Sequence, residues 1–371
     1  MPPLQTILKQ RIRSDVLSMQ AYTVQDATGM VKLDAMENPY TLPEPLQQKL
    51  GQRLGQLALN RYPDGRTHDL RRALADYANM PVDHDIMLGN GSDELISLLS
   101  LACAQPADAD GKRPVVLAPV PGFVMYSVSA LLQGLDFVGV PLTPDFALDV
   151  AAMEKAIAQH QPAIVYLAYP NNPTATLWDE SGMASVINAA AQTGSIVVID
   201  EAYQPFASRS YIDHIRNQPE QHSHVLLMRT LSKFGLAGVR LGYMMGPSAL
   251  IAEIDKVRPP YNISVLNCEC ALFALEHAEV FAQQAAAIRT ERTHLIAALR
   301  TLPGITVWNS DANMVLIRLD QAQAVFEKLK AKSILIKNVS KMHILLDNCL
   351  RLTVGTAEEN KQLLAALQEI L

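Results

Sequence analysis

The centre of this chain alternates short, unbroken apolar runs with stretches of helical periodicity, and few architectures accommodate that pattern. The runs fall at residues 86–89, 115–119, 137–140, 163–168, 196–200, 225–228 and 241–245. They are rich in Val, Ile and Leu and do not alternate strictly with polar residues, as strands covered on both faces should read. Residues 93–104, 124–134, 149–159 and 179–194 between them read as helices. Strand–helix alternation of this kind predicts an α/β fold, a mostly parallel seven-stranded sheet sandwiched by helices. In such sheets ligands bind beyond the carboxyl ends of the strands, so residues just after each run carry the functional argument.

The pattern breaks at Arg258-Pro259-Pro260-Tyr261-Asn262. Residues 265–302 then carry the apolar spacing of one or two long helices. After Pro303-Gly304 come short strands at 306–307, 314–318, 334–336 and 349–354, a helix at 322–331 and a closing helix at 357–371. This stretch reads as a smaller α+β unit. The expected division is an N-terminal arm with part of the small domain (1–50), a large ligand-binding domain (51–262) and a C-terminal small domain (263–371).

With 371 residues, 49% hydrophobic and 18% charged, the chain is long enough for a large core. A net charge of -6 and the lack of any Lys/Arg run argue against a nucleic-acid partner. No apolar stretch is long enough to span a bilayer, and the start, MPPLQTILKQRIRSD, has no signal-peptide core, so a cytoplasmic protein is expected. Cys103, Cys268, Cys270 and Cys349 suit a reducing compartment. Neither Cys268-Glu269-Cys270 nor His222-Ser223-His224 has a second pair at metal-ligand spacing, so structural roles and no metal are expected.

Several short sequences follow the predicted strands. In Thr230-Leu231-Ser232-Lys233-Phe234-Gly235-Leu236-Ala237-Gly238-Val239-Arg240, an amine is flanked by hydroxyls and small residues and followed by an arginine. Hydroxyls donate to phosphate oxygens, small residues let backbone approach a ligand, and arginine clamps an anion bidentately. A lysine so placed can form a Schiff base with a carbonyl. Ser-Lys alone is more often a solvated turn. Gly89-Asn90-Gly91-Ser92-Asp93-Glu94 opens a helix, which is either an anion site or a plain N-cap. Pro121-Gly122-Phe123-Val124-Met125-Tyr126 offers an aromatic for stacking, although core packing is its commoner fate. Tyr169-Pro170-Asn171-Asn172-Pro173-Thr174 is a turn that can also present an amide. Val198-Ile199-Asp200-Glu201-Ala202-Tyr203 ends a buried strand on a carboxylate, which needs a partner. A protonated ring nitrogen would be one. Together these groups match the needs of pyridoxal 5′-phosphate (PLP): a Schiff-base lysine, a carboxylate for the ring nitrogen, donors for a ring oxygen, a stacking aromatic and a phosphate cup.

The motifs GSDE, PGFVMY, YPNNPT, VIDEAY and TLSKFGLAGVRLGY resemble those of the fold-type-I PLP-dependent aminotransferases, and the likeness runs from about residue 20 to the end. Residues 33–39, 60–64 and 349–356 (LDAMENP, NRYPD, CLRLTVGT) are most similar to the histidinol-phosphate aminotransferase subfamily of histidine biosynthesis. The resemblance implies that Lys233 bonds the cofactor, Asp200 pairs with its ring nitrogen, and Tyr203 and Asn172 bond its 3-oxygen. Phe123 matches the stacking aromatic. Thr230, Ser232, Arg240 and the backbone of Ser92 and Asp93 match the phosphate ligands. Tyr62 matches a residue that reaches the phosphate from a second subunit, which implies a homodimer. Arg351, Lys337, Tyr22 and Asn38 match substrate-binding positions. Three positions depart from the pattern: Ala175 replaces a usual glycine, Lys337 a usual arginine, and Lys233 and Arg240 lie seven apart, one fewer than in many relatives. The implied reaction converts L-histidinol phosphate and 2-oxoglutarate to imidazole acetol phosphate and glutamate. An aspartate or aromatic-amino-acid aminotransferase and a PLP-dependent decarboxylase share these motifs. A PLP-binding regulatory domain fits less well, given the negative charge and the short stretch before the first motif.

Overall fold

The computed structural model describes residues 4–21, 25–63, 65–107 and 109–371. After β1 (Val31–Lys32) come β2 (His84–Gly89), β3 (Val115–Val120), β4 (Asp136–Pro141), β5 (Ile164–Ala168), β6 (Ile196–Asp200), β7 (Val225–Thr230) and β8 (Gly242–Pro247). The last seven form one sheet in the order β2-β8-β7-β6-β5-β3-β4. Every pair is parallel except those of β8, which runs against both β2 and β7. The seven strands are those expected, with ends moved by a residue or two.

Within the unbroken apolar runs, a two-residue alternation sorts side chains between the two faces. Val165, Leu167, Val197, Ile199, Val225 and Leu227 pack in one layer with Met153, Ile157, Met183 and Ile187. Ile164, Tyr166, Val198, Leu226 and Met228 pack in the other with Leu95, Leu99, Tyr126, Ala130 and Ile251. A fully buried side chain of this size contributes roughly 1.5–3 kcal/mol, so the two layers drive the folding of this region.

Local chemistry sets the helix ends. Asp149 and Asp179, expected as first helical residues, are N-caps whose carboxylates accept from Ala152 N–H (3.0 Å) and Gly182 N–H (3.1 Å). The stretch after residue 264 forms two helices, Val265–Glu276 and Ala278–Leu299, parted at His277.

The C-terminal strands are β9 (Thr306–Val307), β10 (Met314–Arg318), β11 (Ile334–Leu335), β12 (Lys337–Asn338) and β13 (Cys349–Thr353). Four of them form an antiparallel sheet in the order β12-β13-β10-β9, while β1 pairs in parallel with β11. The separate strand β12 had no counterpart in the sequence reading. It sets Lys337 directly opposite Arg351. A third apolar cluster lies here and includes Leu33, Met36, Ala175, Tyr203 and Phe206 from outside the C-terminal region.

Candidate active site

Strand register brings the predicted motifs to one edge. Ala168 is level with Asp200, Asp200 with Met228, and Thr230 with Gly242, which in turn faces Gly89. The segments leaving β2, β3, β5, β6 and β7 therefore emerge side by side. A cavity of about 120 Å³ opens there, lined by ten of the predicted residues: Ser92, Asp93, Phe123, Asn172, Asp200, Tyr203, Thr230, Ser232, Lys233 and Arg240. Met36 and Tyr126 line it as well, and the sequence reading gave neither a role.

Lys233 lies in a single π-helical turn, Ser232–Leu236, a geometry that often marks functional sites. The next residue but one is Gly235 at φ 142°, where a Cβ would sit 2.8 Å from the Phe281 ring. Glycine is required there by both conformation and space. The Lys233 amine donates to the Ala35 carbonyl at 2.9 Å. Burial, aided by the charge of Arg351, lowers its pKa to about 8.

Asp200 ends β6 fully buried, and burial pushes its carboxyl up to about 6. Two donors work against that shift: the Tyr126 hydroxyl at 2.7 Å and the Ala202 N–H at 3.0 Å. The charges of Asp93 and Glu201 add to it. A carboxylate buried at this cost is suited to a cationic partner.

Beneath the cavity, β8 and the loop after β2 make a tight cradle. A Cβ on Gly242 would lie 2.6 Å from the Gly91 carbonyl carbon and 2.8 Å from the Ser92 nitrogen. The helix Ser92–Cys103 starts here with its free N–H groups. Thr230 Oγ1 lies 3.0 Å from Ser232 Oγ and accepts from the Ser232 N–H at 3.1 Å. Arg240 reaches Ser232 Oγ and Asp93 Oδ2, each at 3.3 Å. Its pair with Asp93 is half-exposed and worth little, so the guanidinium is available to an anion. The short Lys233–Arg240 spacing thus still delivers the arginine to the cup.

Asn172 accepts from Arg351 Nη1 at 2.7 Å through its Oδ1, so it offers the cavity its NH2 group. Arg351 also donates to the Asp34 carbonyl at 2.9 Å. Lys337 sits across from it on β12, on the same sheet face. Ala175 adopts φ 59°, the left-handed conformation that glycine takes more readily.

Four further predicted residues, Arg351, Lys337, Asn38 and Tyr62, are not among those that line this cavity. Asn38 does not line the cavity; its amide donates to Gln284 at 2.9 Å and to the Phe234 carbonyl at 3.4 Å, bracing the turn that carries Lys233. Tyr62 is 77% exposed and stacked on Tyr261 with ring centroids 4.6 Å apart, and it does not line this chain's cavity. Tyr22 lies outside the described residues. No cluster of metal-ligating side chains occurs among the described residues.

The donor set fits PLP. There is an anion cup, a part-buried amine, an amide and a phenol that face the cavity, an aromatic wall and a buried carboxylate. The cradle closes so tightly at Gly242 that only backbone fits beneath it.

The family model for aminotransferase class I and II matches residues 28–367. A histidinol-phosphate aminotransferase from Polaromonas naphthalenivorans is 68% identical over 364 residues, 98% of this chain and 97% of that protein. One from Acidovorax sp. (strain JS42) is 66% identical over 362 residues, covering 97% of each. The crystal structure of histidinol-phosphate aminotransferase from Sinorhizobium meliloti in complex with pyridoxal-5′-phosphate matches with a TM-score of 0.82, 23% identity and 97% coverage of each chain, a likeness of fold. The chain belongs to the class I and II aminotransferases and, within them, to the histidinol-phosphate aminotransferases.

Proposed function

We propose that this protein, a PLP-dependent enzyme, moves the amino group of L-histidinol phosphate to 2-oxoglutarate, giving imidazole acetol phosphate and L-glutamate in histidine biosynthesis. The observation that carries this reading is the meeting of Lys233, Asp200, Asn172 and the Arg240 cup in one cavity, in a chain 68% identical to a histidinol-phosphate aminotransferase.

Thr230, Ser232, Arg240 and the N–H groups at the start of the Ser92 helix hold the cofactor's phosphate. Phe123 would stack on the cofactor ring, Asn172 and Tyr203 would hold its ring oxygen, and Asp200 would keep its ring nitrogen protonated. When bound, PLP supplies a carbonyl carbon for amines and a cationic ring that draws off the electron pair left by breaking the substrate's Cα–H bond. Lys233 Nζ is the base that takes that proton. Its lowered pKa keeps a useful neutral fraction near pH 7–8, as a general base requires. Arg351 receives the anionic end of either substrate, since its fork pairs with phosphate and carboxylate alike. Lys337, opposite it, adds a point charge that favours the doubly charged phosphate.

The working form is a homodimer of the cytoplasm. The exposed, stacked placement of Tyr62 supports this, because a ring that does not line its own chain's cavity can reach that of a second subunit. No helix among the described residues is long and apolar enough to cross a membrane. Sedimentation at working concentration should give twice the 40.7 kDa chain mass; a monomer carrying full activity would refute the shared site.

The decisive experiment is a visible-spectrum titration of the holoenzyme. L-Histidinol phosphate should bleach the yellow band at low concentration and 2-oxoglutarate should restore it. Bleaching only by L-aspartate or L-phenylalanine would reassign the substrate. A protein that stays colourless with added PLP would overturn the site.

A further inference from the structure

Asp200 carries out its role in the proposed chemistry only if it stays ionised and correctly turned while fully buried, and the means for that lie outside the expected motif roles. Two groups hydrogen-bond the carboxylate among the described residues. The Ala202 N–H holds Oδ1 at 3.0 Å, and the Tyr126 hydroxyl holds Oδ2 at 2.7 Å. Among the described residues no lysine, arginine or histidine is bonded to it, and the short contact from a phenol is the only side-chain hydrogen bond favouring the charged form.

Tyr126 is itself rigidly held. It sits in the first turn of the helix Met125–Gln133, 2% exposed. Its ring stacks on Tyr166 of β5 with centroids 4.2 Å apart and planes 7° from parallel. Phe123, the aromatic at the cavity wall, meets its edge at 5.6 Å and 87°. The hydroxyl is thus aimed by packing on two sides and carries no freedom to follow the carboxylate elsewhere. The Tyr166 hydroxyl sits beside Ser100 and makes no hydrogen bond to Asp200.

We propose that Tyr126 is a positioning residue for cofactor binding: its hydroxyl fixes Asp200 in the ionised, fixed-plane form that pairs with a protonated pyridine nitrogen. This rests on the PLP reading of the cavity. The groups facing Asp200 set the demand. Asp93 from the neighbouring helix and Glu201 from its own strand end oppose its ionisation, while Tyr203 and Tyr166 are neutral phenols. Glu201 is itself paired with Arg229 at 2.8 Å, and the Tyr126 hydroxyl, with the Ala202 N–H, counters the remaining opposition at Asp200.

The test compares Tyr126→Phe with Tyr166→Phe, two hydroxyl deletions in the same stacked pair. The apoprotein is titrated with PLP from pH 6 to 9. Wild type should bind throughout. Tyr126→Phe should bind about ten- to a hundredfold more weakly near pH 6.5, the scale of a lost hydrogen bond to a charge. The deficit should shrink as rising pH re-ionises Asp200, and Tyr166→Phe should show no such trend. A deficit that is absent, constant with pH or shared by Tyr166→Phe would overturn the proposal. If Tyr126→Phe does not fold, 3-fluorotyrosine at position 126, a stronger donor, should move the binding profile to lower pH; an unmoved profile would refute it. Failure of wild type to bind PLP at any pH would instead remove the reading beneath it.

Discussion

Arg351 and Asn172, 179 residues apart in sequence, are joined by a 2.7 Å hydrogen bond from Nη1 to Oδ1. The bond ties β13 to the turn after β5, so the arginine proposed to receive a substrate's anion also orients the Asn172 amide at the cavity. Replacing Arg351 by Ala removes both functions. We expect KM to rise about a hundredfold for both substrates, on the order of 3 kcal/mol, with kcat lowered as well because Asn172 loses its anchor. Lys337→Ala should raise KM about tenfold for histidinol phosphate and much less for 2-oxoglutarate. Steady-state kinetics with each substrate varied in turn checks both, and equal effects of Lys337→Ala would remove it from the phosphate subsite.

Lys233 should be indispensable for turnover and yet a burden to the empty fold. Its folded pKa of about 8 lies below the ordinary 10.5, so the ammonium is disfavoured by folding. The penalty is complete below pH 8 and vanishes as pH climbs past 10.5, because only the unfolded chain holds the proton in that window. Lys233→Met should abolish turnover and stabilise the apoprotein at pH 7 by no more than about 3 kcal/mol. Denaturant unfolding at pH 7 and pH 10.5 measures this, and a variant less stable than wild type at pH 7 contradicts it.

Gly242 has backbone, not a flexible side chain, in the space its Cβ would need. Gly242→Ala must therefore push the Gly91–Ser92 loop out of the cradle. We expect a loss of about 1–3 kcal/mol in stability and a weaker hold on PLP, read by melting of the apoprotein and by equilibrium dialysis of the cofactor. Unchanged cofactor affinity would mean that the loop does not form the cup.

Glu201, next to Asp200 in sequence, points away from the cavity. It accepts from Arg229 Nε at 2.9 Å and from the Tyr211 N–H at 2.6 Å, both buried, and from the part-buried Ser210 hydroxyl. Glu201→Gln leaves the Arg229 charge without a counter-ion in a dry environment. A loss of about 3–5 kcal/mol is expected, visible as a large fall in the denaturation midpoint. A loss under 1 kcal/mol would show that water reaches the pair.

The seven strands of the large sheet were legible because parallel strands covered on both faces must be apolar throughout, and 196–200 matched to the residue. The residues after each strand were legible for a related reason, since topology puts them at one edge. Other features depend on contacts between distant segments. The register that sets Lys337 against Arg351 is a pairing across β12 and β13, and nothing local to either strand encodes it. Tyr126 stood in a recognised motif, yet its bond to Asp200 spans 74 residues. The bonds of the Asn38 amide to the Phe234 carbonyl and Gln284 likewise join distant segments, and no local signal announces them. Backbone contributions were illegible in principle, because a carbonyl is present at every residue.

Such backbone contributions have an evolutionary consequence. Asp34 and Ala35 meet the cations of Arg351 and Lys233 with carbonyl oxygens, and Met36 is pinned by its own N–H to Thr353 and its carbonyl to Asn313. Those anchors survive replacement of the side chains at 35 and 36, provided that position 36 tolerates its φ of 52°. The Met36 side chain, meanwhile, lines the cavity. This short segment is a place where mutation can reshape what the enzyme accepts while its reacting groups stay put, a natural starting point for divergence toward new amino donors.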